Sequence, residues 1–119
     1  MNHTITTTVI VTTERVADLL CCALEGGSTY WCEAFRPASY PEGAEYGHEA
    51  VAQGVPFKVK PDDEAWLEID NSPERITATL QRLATELPRH WEDFAQENED
   101  AITGDLFFQL LVFGEIVYG

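Results

Sequence analysis

From Leu106 to Phe113 every residue is apolar except Gln109, and this stretch constrains the fold more than any other. A helix that is apolar almost all round cannot lie on a surface; other elements must surround it. A bilayer span needs about 20 such residues, so the segment is far too short to cross a membrane and belongs in the middle of a core. Thr103 is placed to cap the helix, Gly104 to Phe113 to form it, and Gly114 to end it. A chain of 119 residues has room for one such core. The whole of 1–119 is therefore expected to be a single domain wrapped around this helix.

The wrapping elements follow from periodicity and capping. Asn71-Ser72-Pro73-Glu74 offers a Ser cap, Pro at the first helical position and an acid in the positive first turn. Ile76, Leu80, Leu83 and Leu87 then form one apolar stripe. Pro88 breaks that helix, and His90 to Asn98 continues as a shorter one. Val16, Leu19, Leu20, Ala23 and Leu24 trace another stripe, begun at Thr12 or Thr13 and stopped by Gly26-Gly27. The β-branched run Thr4–Val11, the aromatic-rich run Ser28–Arg36, and Val55–Lys60 with Glu64–Asp70 read as strands, the last two joined by a turn at Pro61-Asp62-Asp63. In Glu64–Asp70, alternation sets Ala65, Leu67 and Ile69 against Trp66, Glu68 and Asp70. Residues 37–54 lack periodicity and read as a long loop or insertion. The expected fold is α+β: a small, largely antiparallel sheet packed by three main helices.

Charge narrows the partners. There are 21 acidic and 7 basic side chains, a net of −14. Binding a nucleic-acid backbone directly requires Lys and Arg to displace counterions, and anionic membrane surfaces make the same demand. Neither partner is expected. A basic protein surface suits the charge, as does solubility alone. Glu92, Asp93, Glu97, Glu99, Asp100 and Asp105 lie within fourteen residues that contain no Lys or Arg, and they are the candidate partner-binding residues. The competing reading is a solvated face. The run does not match a calcium loop, and His90 beside Asp93 or Glu97 supplies too few ligands, so no metal is assigned.

Cys21, Cys22 and Cys32 are odd in number and read as small buried hydrophobes rather than a disulfide framework, which suits a reducing cytoplasm. Thiol catalysis would need a histidine base. His3 lies near the start of the chain, His48 in the expected loop and His90 beyond Pro88. Gly26-Gly27-Ser28 follows a helix instead of preceding one, so it reads as a C-cap and not a phosphate cradle. No catalytic residue and no cofactor are assigned, and an enzyme is not expected. Tyr30 and Trp31, with Trp66, carry the alternative: a small-ligand-binding or sequestering oligomer with an aromatic pocket. Cover by helices or by a second copy in a homodimer competes with that pocket.

Two segments, Ala17–Trp31 (ADLLCCALEGGSTYW) and Glu97–Gly119 (ENEDAITGDLFFQLLVFGEIVYG), carry a resemblance. They resemble a widespread group of small acidic proteins of uncharacterised function encoded by tailed bacteriophages and prophages. That group shares a helix ending in EGGS-x-Y-W and a C-terminal block ending in GE-x-x-YG. The resemblance covers about 38 of the 119 residues. It implies a phage-type accessory protein acting in the cytoplasm of a bacterial host, and it supplies no enzymatic residues. The function expected is binding and modulation of a host protein with a basic surface. In its narrowest form, the protein inhibits a nucleic-acid-handling defence system by acidic mimicry. Duplex DNA carries one charge per ~1.7 Å, so fourteen charges match about 24 Å of duplex. Mimicry on that scale needs nearly all the excess charge on one face.

Overall fold

The Ser72 hydroxyl accepts the Arg75 N–H at 3.0 Å, with Pro73 at the first helical position, and the longest helix starts there as its sequence dictates. The computed structural model describes residues 1–119. It contains helices α1 (Thr13–Cys22), α2 (Gly47–Ala52), α3 (Pro73–Glu86), α4 (Pro88–Ala95) and α5 (Ala101–Phe113). Strands β1 (Cys32–Pro37), β2 (Phe57–Pro61) and β3 (Leu67–Ile69) form one antiparallel sheet in the order β1-β2-β3. The α+β architecture is as expected, with α1, α3 and α5 the main helices. No helix is long and apolar enough to cross a membrane.

Helix α5 is the centre of the core: Phe107, Phe108, Gln109 and Leu111 are fully buried. It begins three residues before the sequence suggests. Asp100, rather than Thr103, is the cap, its Oδ1 accepting the Thr103 N–H at 2.9 Å. Thr103 lies buried in the first turn, with its hydroxyl 2.9 Å from Nδ1 of His90. Gly114, at φ 73°, ends the helix in the left-handed conformation that glycine adopts at little cost.

Two glycines let α1 and α5 approach closely. Helix α1 continues as a π-helical turn over Ala23–Gly27. A Cβ on Gly104 would lie 2.7 Å from the Ala23 nitrogen and 2.8 Å from the Leu19 oxygen, both backbone atoms. A Cβ on Gly27 would lie 1.9 Å from the Ala101 carbonyl oxygen. Neither contact leaves room for a side chain.

In the sheet, Pro37, Phe57 and Ile69 pair across one row, and Phe35, Val59 and Leu67 across another. Phe57, Val59 and Ile69 are buried in the core. The row between them, Arg36, Lys58 and Glu68, faces out. Of the expected strand Glu64–Asp70 only Leu67–Ile69 pairs, and there the alternation is as the sequence implies. Ala65 is exposed outside the strand, and the exposed Trp66 lies beside Arg36, whose guanidinium is 5.9 Å from the ring centre.

Three expectations need correction. Thr4–Val11 forms no strand, because β propensity needs a neighbouring strand to be realised and none lies beside it. Ser28–Trp31 is a turn, so β1 starts only at Cys32. Residues 37–54 are not all loop: Ala50, Val51 and Ala52 of α2 are buried. Helix α2 is too short to show a stripe and is built at its buried face from small side chains. Its start is fixed by Glu49, whose Oε1 accepts the N–H groups of Glu45 (3.1 Å) and Tyr46 (2.8 Å).

Candidate functional site

The acidic run divides into residues with internal tasks and residues left to solvent. Asp105 is buried, at 6% exposure. Asp100 caps α5, and its hydrogen bond from the Thr103 N–H holds its carboxyl below the usual range. Glu99 is paired with Arg15, 84 residues away in sequence, at 2.5 and 3.2 Å. Glu92, Glu97 and Asp100 are exposed and Asp93 is half-buried. Asp100 is occupied as a cap, Glu99 by Arg15 and Asp105 by the interior, so the six do not form one free surface. The sequence gives residue spacing along the run but no sign of which acids turn inward.

What gathers carboxylates is Arg15, an inward-leaning cation from α1. Its guanidinium contacts Asp18 at 3.0 Å, Glu99 at 2.5 Å and Glu97 at 3.9 Å. It also donates to the Phe94 carbonyl oxygen at 2.8 Å and lies 4.6 Å from the centre of the Phe94 ring. Three carboxylates share one guanidinium, which leaves a local negative excess where α1 meets the α4–α5 connection. Other exposed carboxylates are Glu14 on α1, Glu45 before α2, Asp62, Asp63 and Glu64 together in the β2–β3 turn, and Glu74 and Glu86 at the two ends of α3.

The aromatic trio is likewise not brought together. Trp31 is 1% exposed, with its ring among Phe108, Phe113 and Tyr118 at centroid distances of 5.7, 5.2 and 5.2 Å. Trp66 is on the outer face of the sheet beside Arg36. Tyr30, at 51% exposure, is the only one that lines a cleft.

Beneath Tyr30 is a polar knot that the sequence gives no means of predicting. Oδ1 of Asp105 accepts from the Ser28 hydroxyl and the Trp31 indole N–H, both at 2.7 Å. Oδ2 accepts from the Tyr30 hydroxyl at 2.8 Å and the Gln109 amide at 2.9 Å. Gln109 Oε1 in turn accepts the N–H groups of Val117 (2.9 Å) and Tyr118 (2.8 Å). Burial, then the Asp105 carboxylate, pushes the Tyr30 hydroxyl's pKa up. The EGGS-x-Y-W and GE-x-x-YG segments are thus the two halves of one buried network. Next to it is a cleft of about 520 Å³, lined by Tyr30, Ile102, Leu106, Ile116 and Tyr118.

The thiols, expected to be buried, are all only half-buried. Burial pushes Cys32 up to about 11 and raises Cys22, while Cys21 is raised by burial and by Glu25. Reactive cysteines have the opposite shift. His48, expected in a loop, is instead on α2, where a ring nitrogen lies within 4.8 Å of the Cys21 sulfur. No protein-family model, curated protein or solved structure matches the chain.

Proposed function

We propose that this chain is a phage-type acidic accessory protein that binds and modulates a basic host protein in the bacterial cytoplasm, without catalysis and without direct contact to nucleic acid. The contact surface is the carboxylate cluster around Arg15, extended by Glu92 and Asp93 of α4. The observation that carries this reading is the ratio of three carboxylates to one guanidinium at a partly exposed site. Four of the seven cations, Arg15, Lys58, Lys60 and Arg82, already have carboxylate partners within the chain. Little positive charge remains to neutralise the patch, so a partner's Arg and Lys can do so with charge-assisted hydrogen bonds. Inhibition of a nucleic-acid-handling defence protein is the narrowest form of the proposal, acting at a local basic spot and not along a whole groove.

The test is capture of the partner from a bacterial lysate, followed by binding measurements at low and high salt. Reversing Glu92, Asp93 and Glu97 to Lys, with Glu99 retained as the anchor of Arg15, should sharply reduce association. The wild-type on-rate should fall as salt rises, since screening acts over about 10 Å at 0.1 M. Salt-insensitive binding that survives the reversal would refute the acidic interface. A second reading, uptake of a small apolar ligand, rests on the cleft beside Tyr30, whose volume is within the range of ligand sites. Binding of an apolar fluorescent probe that is lost in Ile102→Asp would support it.

A further inference from the structure

Where α1 runs into its π-helical turn, Cys21 and Glu25 stand one turn apart and point towards α2. His48 of α2 completes a cluster in which one donor atom from each residue lies within 4.8 Å of the other two. Sulfur, imidazole nitrogen and carboxylate oxygen are the three donor types that zinc accepts. We propose that Cys21, Glu25 and His48 bind one Zn²⁺ ion in the seam between α1 and α2, with a fourth position open to water.

Several features support a site over a chance meeting. The His48 ring stacks on Tyr46, with centroids 5.7 Å apart and planes 4° from parallel, which limits its rotation. The α2 backbone that carries His48 is seated by Gly47, where a Cβ would come within 2.3 Å of the Phe35 ring. On the other side, Leu19 and Leu20 bury the inner face of α1, which fixes the helix that carries Cys21. Glu25 is exposed, so its carboxylate can adjust without unpacking the core. Bonds of about 2.3 Å to sulfur and 2.0–2.2 Å to nitrogen and oxygen put tetrahedral donors roughly 3.5 Å apart. With every donor pair already within 4.8 Å, reaching that spacing closes each by about 1.3 Å or less, on the scale of side-chain rotation. Glu25 is also part of the π-helical turn, an irregularity often found at functional sites. A softer or redox-active ion such as Cu²⁺ would favour the thiolate too, but Zn²⁺ tolerates this mixed donor set and does not oxidise the sulfur.

Cobalt substitution tests the assignment directly, because Co²⁺ bound to a thiolate shows a ligand-to-metal charge-transfer absorption that carboxylate-bound Co²⁺ lacks. Titrating the metal-free full chain with Co²⁺ should give this band at one equivalent, and Zn²⁺ should displace it. The band should disappear in Cys21→Ser and persist in Cys22→Ser and Cys32→Ser. Zn²⁺ affinity should fall by about a hundredfold or more in His48→Gln, beyond the loss caused by removing a supporting contact. Zn²⁺ should also raise the unfolding midpoint of the wild type and leave that of His48→Gln unchanged, a readout that requires only that the variant fold. A band that survives Cys21→Ser, a stoichiometry other than one, or equal affinity in His48→Gln would overturn the proposal.

Discussion

Replacing Asp105 by Asn changes one heavy atom in a site where four donors converge. The amide oxygen can take the place of Oδ1 and keep the Ser28 hydroxyl and the Trp31 N–H. The new NH₂ then faces Tyr30, whose hydroxyl can turn and accept, and the Gln109 NH₂, which cannot. Gln109 cannot flip without cost, because its oxygen already holds the N–H groups of Val117 and Tyr118. One buried donor is orphaned, at about 1–3 kcal/mol, and the retained bonds lose charge assistance worth about 1 kcal/mol in all. A loss of about 3 kcal/mol is a large share of the 5–15 kcal/mol that a domain of this kind has. For a urea m-value of about 1.5 kcal/mol/M, the midpoint should fall by about 2 M, read by far-UV circular dichroism. Ser28→Ala, which removes a donor and leaves three, should cost only about 1 kcal/mol. If Asp105→Asn moved the midpoint by less than about 0.5 M, the network would not be a stabilising element and the reasoning would fail.

Three further substitutions have outcomes set by backbone contacts and by the cap of α5. Gly104→Ala gains about 1 kcal/mol of helix propensity but places its Cβ against backbone atoms at 2.7 and 2.8 Å, so overpacking of about 1–3 kcal/mol should win. Gly26→Ala, with nothing within 4 Å of its Cβ, should leave the urea midpoint unchanged or raised. The Asp100 carboxyl is held below its unfolded value by the Thr103 N–H, so its contribution is present above about pH 4 and lost as pH falls through the depressed folded value. Asn caps a helix as well as Asp does, so Asp100→Asn should match the wild type at pH 7 and lose less stability between pH 4 and pH 2, measured by unfolding at each pH. Parallel acid curves for the two proteins would contradict this.

Elements fixed by local chemistry were legible from sequence, and contacts between distant segments were not. The Ser72-Pro73 start of α3, the break at Pro88 and the alternation of β3 each follow from a few adjacent residues. Helix α2 was missed because its buried face consists of Ala50, Val51 and Ala52, too short a run for a period to show. Thr4–Val11 was misread because propensity reports a preference, and whether a partner strand exists is decided elsewhere in the chain. Among the six acids, Glu99 and Asp105 are distinguished only by neighbours distant in sequence, Arg15 for Glu99 and Ser28 and Trp31 for Asp105. Asp100 alone had a local signal, since it precedes an apolar run at capping distance. Cys21 and His48 are on elements that the sequence leaves unconnected, so their approach could not be read from it.

The knot around Asp105 also sets an order of events during synthesis. The Trp31 indole finds its carboxylate 74 residues later, and its stacking partner Tyr118 later still. At about 5–20 residues per second, roughly 4–15 s pass between the two ends of that bond leaving the peptidyl-transferase centre. Until then α1 and its π turn have no α5 to pack on, and Leu19, Leu20 and Trp31 lack the helix that buries them. The core of this protein can therefore close only after translation of its last helix.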